Sequence, residues 1–73
     1  MDKEAQALFP DKIKEQAEVN IKRYGDQDPI TLLVVAQIQM GHVTEAYFRG
    51  NISDKFRIEL VHLAAVLYEL YGK

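Results

Sequence analysis

The segment DPITLLVVAQIQMGHVTEAYFRGN, residues 28–51, carries the start and the stop of a helix at its two ends. Asp28 can accept hydrogen bonds from the free amides of a first turn, and Pro29 suits the first helical position, where no donor is needed. Gly50 or Asn51 can close the last turn in the left-handed conformation. The expected helix spans about residues 29–49. From Ile30 to Val43 its apolar residues cover most of the circumference rather than a single stripe. A helix of that kind must be covered on several sides.

Two punctuation points, YGDQDP at residues 24–29 and RGNIS at residues 49–53, divide the chain into helix, stop and restart. Downstream, Ser53 is the expected cap of a third helix over about residues 53–71, with Asp54 near the positive end of its dipole. Phe56, Leu60, Leu63, Leu67 and Leu70 form its apolar stripe, and Gly72 marks its end. Upstream, Ile13, Ala17, Ile21 and Tyr24 recur at helical spacing and predict an amphipathic helix over about residues 11–24, ended by Gly25. Pro10 is expected to keep residues 1–9 apart as a short helix or arm. The fold class read this way is all-α, one domain over residues 1–73, with helices two and three forming an antiparallel hairpin in an oligomeric helical bundle.

The oligomer follows from size. A chain of 73 residues buries only about 60% of the surface that its unfolded form exposes. Disulfides cannot make up the deficit, because there is no cysteine. One partly charged helix cannot cover the other two, so a second copy is the economical partner, as a homodimer or a homotetramer. Gly41, inside the second helix, permits close approach of a neighbour.

The formal net charge is -2 and the basic residues are scattered, so no nucleic-acid partner is expected. The start MDKEAQALFP does not read as a signal peptide. Gln37, Gln39, His42, Glu45, Glu59 and His62 interrupt the apolar segments and argue against a membrane span. A cytoplasmic location is the expectation.

Those interruptions form a constellation. Gln39 and His42 lie three apart on one helix, Glu59 and His62 three apart on the next, and residues three apart share a helix face. A hairpin could bring the two pairs opposite each other, which is how bundle proteins build internal metal sites. Arg49, Lys55 and Arg57, near the turn between these helices, are candidates to meet phosphates. The four tyrosines read first as packing residues with exposed hydroxyls. No glycine-rich phosphate loop is present, since the glycines are isolated.

At these residues the chain resembles the MazG-like all-α nucleotide pyrophosphohydrolases, including the small phage members. "QMGHVTEA" at residues 39–46 stands where an "EVGELAEA"-like run would, and "IELVHLAAV" at residues 58–66 where "EELADVLAV" or "ELIQVAAVA" would. "IKRYGDQDPITLLVVA" at residues 21–36 looks like the lead-in of the phage proteins. The resemblance covers roughly residues 13–71. It implies a helical bundle, a nucleotide substrate, and cleavage of a nucleoside triphosphate to the monophosphate and pyrophosphate. In the family, four carboxylates hold magnesium against the triphosphate.

By that match Gln39, His42, Glu59 and His62 occupy the ligand positions, and only Glu59 keeps a carboxylate. Magnesium favours charged oxygen ligands, whereas two imidazoles and a carboxylate suit zinc, nickel or ferrous iron. Two readings stay open: a pyrophosphohydrolase relative with an altered metal site, and a non-catalytic helical dimerisation or binding module with a buried Gln/His/Glu/His cluster.

Overall fold

The computed structural model describes residues 2–73 as three helices, α1 (Lys3–Tyr24), α2 (Pro29–Gly50) and α3 (Asp54–Tyr71), with no strand among the described residues. The all-α class read from the sequence is the one observed. Each helix starts at a side-chain cap. The Ala5 amide donates to Asp2 Oδ1 at 3.0 Å, the Thr31 amide to Asp28 Oδ1 at 2.8 Å, and the Phe56 amide to Ser53 Oγ at 3.2 Å. Each bond satisfies one of the amides that a helix start leaves unpaired. At the other ends, Gly25 (φ 76°) and Asn51 (φ 53°) take positive φ and turn the chain out of α1 and α2.

One expectation is corrected. Residues 1–9 are not a separate arm from Lys3 onward, because α1 runs unbroken from Lys3 through Pro10 to Tyr24. Pro10 lacks the amide that would bond to the Gln6 carbonyl, so the helix forgoes that bond. Contacts with α3 lie on both sides of that break. Arg57 Nη1 lies 3.4 Å from Asp2 Oδ2, and Asn20 Nδ2 donates to Glu69 Oε2 at 3.5 Å. Gln16 Nε2 donates to Asn20 Oδ1 at 2.9 Å and steadies that amide. Since the start of α1 meets the start of α3 and the end meets the end, these two helices run the same way.

The helix α3 lies in the middle. Both α1 and α2 pack against it, and they do not pack against each other. This is why the leucine stripe expected on α3 is not its buried line. Phe56, Leu60, Leu63 and Leu70 are half-buried and Leu67 is exposed, while Glu59, Ala65 and Val66 are buried. A central helix flanked by two neighbours is covered on two faces, not along one stripe. The apolar core consists of Ala17, Leu32, Val43, Ala46, Ala65 and Val66, and Leu32 is the large side chain most completely enclosed. Near the α2–α3 turn, the rings of Tyr47 and Phe56 meet edge to face at 5.8 Å. Lys73 pairs with Asp26 and ties the end of α3 to the loop between α1 and α2. No helix among the described residues is long and apolar enough to cross a membrane.

Candidate functional site

The polar constellation centres on Glu59. This residue lies in the second turn of α3, and its side chain is only 9% exposed, an unusual position for a carboxylate. Lys55, one helical turn earlier, places its ammonium 3.3 Å from Glu59 Oε1. From α2, His42 Nδ1 approaches Glu59 Oε2 at 3.6 Å, and from α3 itself His62 Nδ1 lies 4.0 Å from the same oxygen. Both imidazole separations exceed hydrogen-bond length, so they act as ion pairs only when the ring is protonated.

The three positions differ in surroundings. His42 is 53% exposed at the side chain and borders a surface depression of about 570 Å³, together with Glu45, Arg49, Lys55 and Glu59. His62 is half-buried and borders a second groove, between α1 and α3, along with Phe9, Val61 and Arg57. Glu59 therefore stands between the two histidines. Gln39 is half-buried, and its Oε1 is enclosed with no hydrogen-bond partner.

Of the cations considered for phosphate binding, Arg49 and Lys55 both border the depression, but each is already paired. Arg49 Nη2 lies 2.9 Å from Glu45 Oε1, and Lys55 faces Glu59. Arg57 is elsewhere, 3.4 Å from Asp2 at the other groove. The Lys55–Glu59 and Glu45–Arg49 pairs are both i, i+4, a spacing visible in the sequence itself. The Asn20–Glu69 bond links residues 49 positions apart. No local signal marks it.

Magnesium needs oxygen ligands at about 2.0–2.1 Å and a surplus of negative charge. The cluster offers one carboxylate, and the Lys55 ammonium already lies against one of its two oxygens. Among the described residues, no three His, Cys, Asp or Glu side chains are placed to hold a metal ion. The donor set does not fit magnesium. What the arrangement does chemically is confine a carboxylate between one fixed cation and two titratable rings. Compared with family profiles, curated proteins and solved structures, the chain matches none of them.

Proposed function

We propose that this chain is a MazG-like helical module in which the nucleotide pyrophosphohydrolase site has been replaced by a polar cluster around one buried carboxylate, Glu59. It works as a non-catalytic unit of self-association, a homodimer or homotetramer whose bundle includes α2 and α3 as an antiparallel hairpin. The observation that carries this reading is the Lys55 ammonium at 3.3 Å from Glu59 Oε1. A lysine in that position supplies the positive charge that a divalent ion supplies in a catalytic site, and it does so without a bound triphosphate. Gln39, His42 and His62 add no negative charge. Electrostatic neutralisation of a polyphosphate by metal therefore has no anchor here.

The test is to incubate the purified chain with a panel of nucleoside triphosphates and magnesium, manganese, zinc or nickel, and to measure pyrophosphate release and bound metal. No release above the protein-free rate and no stoichiometric metal are expected. Turnover that disappears in Glu59→Ala would overturn the non-catalytic reading and restore the hydrolase.

A further inference from the structure

The helix α2 turns Leu32, Val43 and Ala46 inward, and its opposite face is open. Along that open face Ile30, Val34, Gln37, Gly41, Thr44 and Phe48 follow one another at spacings of four, three, four, three and four. This is the repeat of a two-helix seam. All six are exposed, Ile30 at 73% and Phe48 at 80%. The other exposed large apolar residues of α2, Leu33, Ile38, Met40 and Tyr47, fall at the positions that flank such a seam.

We infer that this face pairs with the same face of a second copy, antiparallel, about a two-fold axis at the level of residue 39. The inference rests on the self-association part of the proposed function and specifies its interface. Antiparallel pairing about that level sets Ile30 against Phe48 of the other copy, Val34 against Thr44, and Gln37 against Gly41. Large meets medium, two β-branched residues meet, and the long amide lies over the residue with no side chain. A Cβ at Gly41 would meet nothing within 4 Å in the single chain. A glycine there weakens the helix without any packing return inside one copy. Thr44 Oγ1 donates to the Met40 carbonyl at 3.0 Å, which satisfies its hydroxyl within α2 and leaves its methyl for the seam.

The charge pattern is compatible with a second copy, and the size match across the two-fold is what favours it. From Pro29 to Thr44, α2 has no Asp, Glu, Lys or Arg. A two-fold interface sets a surface against itself, so any charge near the axis would face its own kind. Glu45, the first charge, lies opposite Thr31 of the other copy and is already neutralised by Arg49 at 2.9 Å. A parallel pairing would instead stack Gly41 on Gly41, leaving a gap at that level, and set the two copies of Gln37 against each other.

The absence of cysteine makes the register testable. Prepare I30C and F48C separately, oxidise each alone and as an equimolar mixture, and weigh the products under non-reducing conditions. Within one helix these positions are about 27 Å apart, far beyond disulfide reach. The mixture is expected to give a covalent I30C–F48C pair at least tenfold faster than either variant alone. In parallel, sedimentation of the unmodified chain should give at least twice the chain mass, and G41E should shift the mass toward the monomer. A monomeric unmodified chain overturns the self-association reading and this interface together. An oligomer that links I30C to itself, or that fails to link the mixture, overturns this interface alone.

Discussion

Lys55 and Glu59, one turn apart on α3, set an ammonium 3.3 Å from a carboxylate that is almost fully enclosed, while the lysine itself is largely in solvent. The geometry makes the pair asymmetric. Glu59 has lost most of its hydration and Lys55 has not, so the carboxylate depends more on the lysine than the reverse. A double-mutant cycle of Lys55→Met and Glu59→Gln should give a coupling energy of about 1 kcal/mol, at the upper end for an exposed pair and well below that of a fully buried one. Urea denaturation at low and high salt checks this, and the coupling should shrink as salt rises. A coupling indistinguishable from zero at low salt would mean that Lys55 does not serve the carboxylate.

Gln39 is the opposite case, a polar atom enclosed without a partner. An unsatisfied buried acceptor costs roughly 1–3 kcal/mol of desolvation. Replacing Gln39 by Leu, of similar reach, should therefore raise the unfolding free energy by about 1 kcal/mol. A loss of stability in Gln39→Leu would show that the amide finds a partner in the folded assembly.

Pro10 interrupts the hydrogen bonding of a helix that continues past it. Pro10→Ala supplies the missing amide for the Gln6 carbonyl and a better helix former. The expected gain is about 1–3 kcal/mol, read as a higher melting temperature with more helical circular dichroism. Unchanged melting would indicate that α1 is already frayed before Pro10.

Asp28 caps α2, and the hydrogen bond from the Thr31 amide holds its carboxyl below the ordinary aspartate value. Asp2 at the start of α1 is lowered in the same way, chiefly by the Ala5 amide. A depressed folded-state value means that the stabilisation is fully present above the unfolded-state value and is lost as pH falls through the folded one. Asp28→Ala should therefore be less stable than the unmodified chain at pH 7, with the gap closing below about pH 4. Thermal melts across pH 2–7 test this, and a gap of constant size would sever the cap from its ionisation.

The limits of the helices were legible where the signal is local. Asp28 with Pro29, Ser53, and the pair Gly25 and Asn51 act on amides and carbonyls no more than four residues away, and each is found in the role its type suggests. Pro10 misleads for a related reason. Its local effect is real, but α1 packs on α3, far along the chain, and meets it on both sides of the proline at Arg57 and Glu69.

For the candidate site, the sequence singled out Gln39, His42, Glu59 and His62 as polar residues in apolar helices, and the structure brings His42 and His62 to one oxygen of Glu59. Which of them is enclosed was not readable from spacing. Burial depends on which helix lies in the middle, and that is α3, packed on both sides. The sequence alone determined three helices, the starts of α2 and α3 and the excess of apolar surface, because these follow from bonds within a turn and from residue type. Only the tertiary structure decided that Glu59 is enclosed, that His42 and His62 reach the same oxygen of it, and which face of α2 is left open. Those outcomes depend on how helices distant along the chain share one small core.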